Sequence, residues 1–290
     1  MRRVLITVAT CVLLAIAAIA VVGEVLTRPA LRATGAAPAD IHAVSLSIPN
    51  TGKAPVAGWF VRGKPGQGAV LLLHGVRSDR RQMLDRARFL SKAGYSVLLI
   101  DLPAHGESNG ERITFGANES SGVNAALAYL RTTLPNERIG VIGVSLGAAS
   151  LVLAHPTPAP DAVVLESMYP TITDAVEDRL AIRLGPLGKK LSPLLLWQLP
   201  IRLGVTAEQL QPIAQISSLK SPVLIASGTI DQHTPIVETR RIFAAANEPK
   251  ELWQVEGAAH VDLHSHGPRI YEAKILLFFG THLRHSLPAQ

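Results

Sequence analysis

A serine stands between two glycines in the segment Gly143-Val-Ser145-Leu-Gly147. A buried-strand pattern, Ile139 to Ile142, precedes this segment, and a helix-forming run, Ala148 to Ala154, follows it. Glycines remove the Cβ atoms that would collide in a sharp strand-to-helix turn, so Ser145 can present its Oγ at the edge of a sheet. The context predicts a nucleophilic serine, whereas the pentapeptide alone also fits an ordinary loop serine.

A serine hydroxyl becomes an effective nucleophile when a base accepts its proton and a carboxylate orients that base. Asp231 and His260 each follow an apolar strand pattern later in the chain. The order serine, acid, histidine is the one found in enzymes with this kind of turn. We therefore predict a triad of Ser145, Asp231 and His260. Glu166, which ends a strand directly after the serine turn, is the rival acid.

Other interpretations of these residues stay open. Asp231 has the position of a cap for a helix that begins near Pro235. The segment from His260 to His266 resembles a metal-ligand cluster, but zinc needs at least three convergent ligands, which alternating residues of one short segment rarely provide. We expect no metal and no cofactor. His105 and His233 are interpreted as surface groups or as groups behind the site.

The oxyanion of a tetrahedral intermediate needs two preorganised N–H donors. One is expected from Leu146, the residue after the nucleophile, at the start of its helix. The other is expected from Val76, in the loop after the apolar run Ala69–Leu73, where Gly75 allows a tight turn. Both donors belong to the backbone, so the apolar side chains are no objection.

The elements that must position these groups alternate between apolar strands and helices. Strands that are apolar throughout are typical of a mostly parallel sheet with helices on both faces. Ligand sites in such sheets lie at the carboxyl ends of the strands, where all the polar signatures above fall. The sequence therefore predicts an α/β domain over residues 42–284, with its site at that edge and a tail at 285–290.

A long segment of this domain has no strand pattern. Tyr169 to Arg183 fits one helix, glycines at 185 and 188 break it, and Leu191 to Leu203 is strongly apolar. We interpret residues 169–215 as an inserted short helical cap. It either packs onto the sheet or forms an apolar lid that meets membrane or acyl chains.

The N-terminus contains an uncharged apolar run, Val4 to Val22, preceded by two arginines. Nineteen helical residues span roughly 28 Å, close to the thickness of a bilayer core. We predict an uncleaved signal anchor at 1–26 and a linker at 27–41, with a signal peptide cleaved near Ala18-Ile-Ala20 as the alternative. The short basic N-terminus favours a single-pass protein whose catalytic domain lies outside the cytoplasm.

The composition limits the classes of binding partner that we expect. The 290 residues carry a net charge of +6, but no basic run is interleaved with aromatic residues, which make up 4% of the chain. Nucleic-acid binding is therefore not expected, and the charge suits anionic lipid or a basic soluble surface. Cys11 is the only cysteine, so no intrachain disulfide forms and the compartment is not indicated. The oligomeric state is left open.

Several motifs together resemble the α/β-hydrolase superfamily: His74-Gly75, Asp101-x-x-x-His105-Gly106-x-Ser108, Gly143-x-Ser145-x-Gly147, Gly228-x-x-Asp231-x-x-x-Pro235 and Gly257-x-x-His260. Over about 55–282 the chain resembles membrane-anchored hydrolases of the BEM46-like type and the related serine aminopeptidase-like group. The resemblance implies an α/β-hydrolase fold and a serine hydrolase, and it does not specify the substrate. The leading hypothesis for the substrate is an ester of a hydrophobic acyl group. A peptidase, an amidase, an acyltransferase and a non-catalytic membrane-tethered binding domain are the alternatives.

Overall fold

The computed structural model describes residues 1–260 and 262–284, so the predicted tail at 285–290 lies outside the described residues. The strands are β1 (Ala30–Leu31), β2 (Val44–Asn50), β3 (Lys53–Val61), β4 (Ala69–Leu73), β5 (Ser96–Ile100), β6 (His105–Gly106), β7 (Ile139–Val144), β8 (Ala162–Glu166), β9 (Val223–Gly228) and β10 (Lys250–Val255). The α-helices are α1 (Arg2–Thr27), α2 (Leu84–Lys92), α3 (Glu119–Thr133), α4 (Leu146–Leu153), α5 (Ile172–Leu184), α6 (Pro186–Lys189), α7 (Ser192–Leu196), α8 (Gln198–Leu203), α9 (Pro212–Gln215), α10 (Ile236–Ala245), α11 (Leu263–His266) and α12 (Pro268–Leu283). Short 3-10 turns cover Ala39–Ile41, Arg80–Met83, Ala207–Gln209 and Ile216–Ser218.

Within the described residues, eight strands form one sheet in the order β10-β9-β8-β7-β4-β5-β3-β2. Neighbours from β10 to β5 run parallel, and β3 runs antiparallel to both β5 and β2. Every residue of β4, β5 and β8 is buried. This burial follows from helices on both faces: α3 and α4 pack on one, α2 and α12 on the other. The predicted mostly parallel, doubly covered sheet is confirmed.

One small pairing has no counterpart in the sequence patterns. β1 pairs in parallel with β6, with Ala30 opposite His105 and Leu31 opposite Gly106. The chain that leaves α1 is thereby attached to the loop after β5. Residues predicted as a linker thus contain a strand, and the predicted domain boundaries themselves stay predictions.

Helices α5 to α8 lie between β8 and β9 in the chain, in the segment predicted as a cap. Thr171 caps α5 by accepting a hydrogen bond from the Asp174 N–H at 3.0 Å, and Gly185 ends that helix with φ of 68°. The last turns of α1 contact α7 and α8 and line a pocket together with residues of α5. α1 is long and apolar enough to cross a membrane, with a mean hydropathy of 2.9 in its most apolar 18-residue window, none of it buried.

Candidate active site

Ser145 occupies the turn between β7 and α4 with φ of 49° and ψ of −108°, a conformation that non-glycine residues rarely adopt. A Cβ at Gly143 would lie 2.6 Å from the amide nitrogen of Ala148, and one at Gly147 would lie 2.6 Å from the carbonyl oxygen of Leu73. Both flanking positions therefore require glycine. The backbone strain held at Ser145 is typical of nucleophile turns at functional sites.

Asp231 and His260 are in direct contact. His260 Nδ1 lies 2.8 Å from Asp231 Oδ2, while Asp231 Oδ1 accepts the backbone N–H groups of His233 and Thr234 at 2.8 and 2.9 Å. Burial alone would raise the pKa of Asp231, but these hydrogen bonds outweigh it and hold the pKa below its usual value. An ionised Asp231 only accepts hydrogen bonds, so His260 Nδ1 carries the proton and leaves Nε2 as a base.

The loops that carry these two residues are bound to each other. The Thr229 N–H donates to the Val255 carbonyl and the Ile230 N–H to the Ala258 carbonyl, both at 3.0 Å, and the Gly257 N–H donates to Thr229 Oγ1 at 2.9 Å. Since β9 and β10 are parallel neighbours, both loops leave the sheet at the same edge. This crosslinking positions the acid and the base as one unit.

Ser145 lies at the same edge of the sheet, at the end of β7, and its N–H donates to the Glu166 carbonyl at 2.8 Å. Among residues 1–260 and 262–284, no hydrogen bond joins Ser145 to His260. Catalytic hydrogen bonds are often long in unliganded enzymes and tighten when substrate binds. The complete triad therefore stays a prediction.

The loop after β4 has a defined peptide orientation. His74 Nδ1 donates to the Gly75 carbonyl at 2.7 Å, and His74 Nε2 accepts the Leu102 N–H at 3.0 Å. Burial lowers the pKa of His74 to about 3, so the ring stays neutral. Because a trans peptide directs its C=O and N–H oppositely, the bond from His74 directs the N–H of Val76 away from the ring.

The N–H groups of Val76 and Leu146, predicted as oxyanion donors, donate to no protein acceptor in the part of the chain that the structure describes. The Leu146 N–H belongs to the first turn of α4, where such groups lack intrahelical partners. A Cβ at Gly75 would lie 3.8 Å from the Val144 carbonyl, so this loop closely approaches the Ser145 turn. The geometry is compatible with the predicted roles, which stay predictions.

Glu166 is engaged elsewhere. Its side chain is 1% exposed, and Oε2 lies 2.6 Å from Arg86 Nη2, which also pairs with Asp262 at 2.9 Å. Tyr271 donates a hydrogen bond to the other carboxylate oxygen. This buried cluster joins α2, β8 and α12, and in the described residues the rival acid has no hydrogen bond or ion pair with His260. The sequence offered no sign of the cluster.

The two further histidines of the segment from His260 to His266 lie in different environments. His264 Nε2 lies 3.1 Å from Glu272 and its ring stacks on Phe89, while His266 Nε2 lies 3.2 Å from the Glu256 carbonyl. In the described residues, no group of three or more histidine, cysteine or carboxylate side chains could hold a metal ion.

Two histidines adjoin residues of the site. His105 is fully buried, with its ring 5.2 Å from that of His74, so of its two interpretations the surface group is excluded and the group behind the site remains. It is buried because β6 pairs with β1. The His233 ring lies 4.9 Å from that of His260. Burial and the nearby His260 lower the pKa of His233. In the sequence, only the position of His233 two residues after Asp231 indicated that His233 lies near the site.

Residues 64–201 match the family described as Serine aminopeptidase, S33. The chain is also 30% identical to the uncharacterized protein Rv2307c of Mycobacterium tuberculosis. The matched region of 226 residues covers 77% of this chain and 72% of that protein. The chain belongs to the α/β-hydrolase superfamily. This confirms the predicted superfamily and assigns the chain to a family of hydrolases.

Other comparisons agree with this assignment. The α/β-hydrolase is 24% identical to the uncharacterized protein YqkD of Bacillus subtilis over 80% of this chain and 77% of that one. Its fold matches the structure of the Pyrococcus furiosus esterase Pf2001 with a TM-score of 0.72 and 23% identity, covering 89% of this chain and 98% of that chain. The α/β hydrolase GrgF from Penicillium sp. sh18 matches with a TM-score of 0.65 and 17% identity, covering 83% and 99%.

Proposed function

We propose that this protein is a serine hydrolase that cleaves an ester of a hydrophobic acyl group through an acyl-enzyme. The carrying observation is the contact between His260 Nδ1 and Asp231 Oδ2, with the second carboxylate oxygen held by two backbone N–H groups. That arrangement leaves His260 Nε2 as a base at the sheet edge that also carries the strained Ser145 turn. The resemblance to a Pyrococcus protein named an esterase supports the choice of an ester.

The proposed reaction has two halves. Ser145 Oγ attacks the carbonyl carbon while His260 Nε2 takes its proton, and the oxyanion is bound by the N–H groups of Val76 and Leu146. The C–O bond then breaks and His260 protonates the departing alcohol. Water attacks the acyl-enzyme with His260 again accepting a proton. Collapse of the second intermediate releases the acid and returns the proton to Ser145.

A fluorophosphonate probe tests the nucleophile. We expect the folded protein to be labelled and Ser145→Ala to lose the label, because the probe reacts with an activated serine. Absence of labelling in folded wild-type protein would contradict the proposal.

A second candidate reaction is cleavage of an amide, which the match to a serine aminopeptidase family favours. A panel of p-nitrophenyl esters of increasing chain length, measured beside aminoacyl amides, separates the two reactions. We expect kcat/KM to rise with chain length among the esters and to exceed that for the amides. A higher kcat/KM on aminoacyl amides would assign the protein as a peptidase instead.

The proposed location is the cell membrane, with α1 retained as a single-pass anchor and the catalytic domain outside the cytoplasm. The end of α1 makes polar contacts that support its retention. Gln198 Nε2 donates to the Ile19 carbonyl at 3.1 Å, and Arg202 Nη2 donates to the Ala20 carbonyl at 2.6 Å. Glu24 pairs with Arg202 at 2.8 Å and with Arg112 at 2.9 Å.

Cleavage after Ala20 would remove the first two of these acceptors and release a secreted protein, which is the alternative. Intact-mass measurement of membrane-extracted protein distinguishes the two. We expect a mass that includes residues 1–20, and a mass that lacks them would establish the secreted form.

A further inference from the structure

A cleft of about 560 Å³ lies between the last two turns of α1 and the cap helices. Val21, Val22 and Val25 contribute to one wall, and Val176 and Ile182 of α5 contribute to the other. Apolar side chains make up most of the lining. The membrane helix is thus a wall of a cleft in the hydrolase domain as well as its N-terminal segment.

The cleft reaches two residues that adjoin the candidate active site. Arg77 and His233 both line it. Arg77 directly follows the predicted oxyanion donor Val76, and the His233 ring lies 4.9 Å from that of His260. Arg77 Nη1 also donates to the Val25 carbonyl at 3.0 Å, which attaches the oxyanion loop to α1. A chain bound in the cleft would therefore have its head beside the reacting groups.

Val21 and Val22, which line the cleft, are the end of the apolar run that we propose spans the membrane. The carbonyls of Ile19 and Ala20, inside the apolar run of α1, accept hydrogen bonds from α8. Ile16 lies in one surface pocket with Trp197 and Ile201. Val22 comes six positions after Ile16, so α7 and α8 lie beside the apolar part of α1 over roughly 9 Å.

The exposed surface of the cap fits this depth. Trp197 and Ile201 are 71% and 70% exposed, and other large apolar side chains of the cap are exposed as well: Ile182, Leu184, Leu187, Leu191 and Leu194. Segments that lie in a membrane interface bury their apolar face about 5–10 Å deep. When α1 spans a bilayer, its contacts carry this surface into the outer part of the same leaflet.

We infer that the cleft between α1 and α5 binds the acyl chain of a membrane lipid ester, which enters from the bilayer beside Val21 and Val22. Apolar walls, lining residues at the end of the proposed membrane span and contact with Arg77 and His233 fit a chain whose ester must reach Ser145. This inference rests on the proposed function and names its substrate class. α1 is then part of the substrate site.

The test uses the full-length protein in phospholipid nanodiscs, with p-nitrophenyl dodecanoate and butyrate as substrates. Val25→Trp and Ile182→Trp fill the cleft from opposite walls, so a folding defect in one leaves the other informative. Val12→Trp is the matched control, because Val12 lies on the same helix with similar exposure, 51% against 48% for Val25. The measured quantity is the ratio of kcat/KM for dodecanoate to that for butyrate.

We expect this ratio to fall about tenfold or more in both cleft variants, since each buried methylene contributes several-fold to binding. It should stay within about twofold of wild type in Val12→Trp. An unchanged ratio in both cleft variants would overturn the inference while wild-type hydrolysis keeps the proposed function intact. Absence of hydrolysis and of fluorophosphonate labelling in folded wild-type protein would overturn the proposed function, and the inference with it.

Discussion

Replacing Asp231 by asparagine tests the orientation of His260. Asp231 Oδ1 accepts two backbone N–H groups, so the amide oxygen of the asparagine must take that position. In the flipped orientation the amide NH₂ would face the backbone N–H groups of His233 and Thr234, so both hydrogen bonds would be lost. Each N–H group left without an acceptor costs about 1–3 kcal/mol. The amide NH₂ then occupies the position of Oδ2, 2.8 Å from His260 Nδ1.

A donor at that position requires His260 Nδ1 to be the acceptor, so the proton moves to Nε2. His260 then cannot accept the proton of Ser145. We expect Asp231→Asn to lower kcat about 10⁴-fold, or about 5 kcal/mol of transition-state stabilisation, with little change in the fold. The assay is p-nitrophenyl butyrate hydrolysis beside thermal unfolding. A folded Asp231→Asn variant within about tenfold of wild-type kcat would refute the assignment of the acid.

Glu166→Gln is the matched control, because Glu166 is the rival acid at the end of β8. The variant breaks a buried pair with Arg86, which keeps Asp262 as a partner. We expect about 3 kcal/mol lower unfolding free energy and a Tm lower by roughly 9 °C. Activity per folded molecule should stay within about tenfold of wild type. Loss of activity in Glu166→Gln with retention in Asp231→Asn would make Glu166 the acid.

Three further changes probe the surroundings of the site. Burial and nearby carboxylates raise the pKa of Glu238 to about 8. Protonation of Glu238 therefore contributes its full stability below pH 4.5, and this contribution is lost as the pH rises to 8. Glutamine does not titrate, so the Tm of Glu238→Gln minus the Tm of wild type should increase between pH 5 and 8.5. A difference in Tm that stays constant over this range would contradict the prediction. Gly143→Ala places a Cβ 2.6 Å from the Ala148 nitrogen, and kcat should fall at least about 100-fold, with slower fluorophosphonate labelling. His74→Phe removes the hydrogen bond that orients the Val76 N–H, and kcat should fall about 10²-fold with little change in KM; an equal loss through KM alone would argue against this role.

Much of the fold and part of the site could be predicted from local patterns. The continuous apolar runs at β4, β5 and β8 predicted strands buried on both faces, because only such burial tolerates apolar residues throughout. The glycines around Ser145 predicted the sharp turn, since side chains at 143 and 147 would collide with backbone atoms. Residues at the ends of parallel strands were expected at one edge, and Asp231 and His260 indeed lie there in contact.

Contacts between distant segments depended on tertiary packing. Glu166 ends β8 and Asp231 follows β9, so local sequence does not separate them. Their environments differ because Arg86 of α2 and Tyr271 of α12 donate hydrogen bonds to the Glu166 carboxylate. The apolar run of α1 predicted a membrane segment by composition. Its position as a wall of the cleft depends on the ion pairs that Glu24 forms with Arg202 and Arg112. Arg202 is 178 positions away from Glu24 in the sequence. Local sequence determines which elements form, whereas such long-range pairs form only after the sheet and cap have positioned their elements.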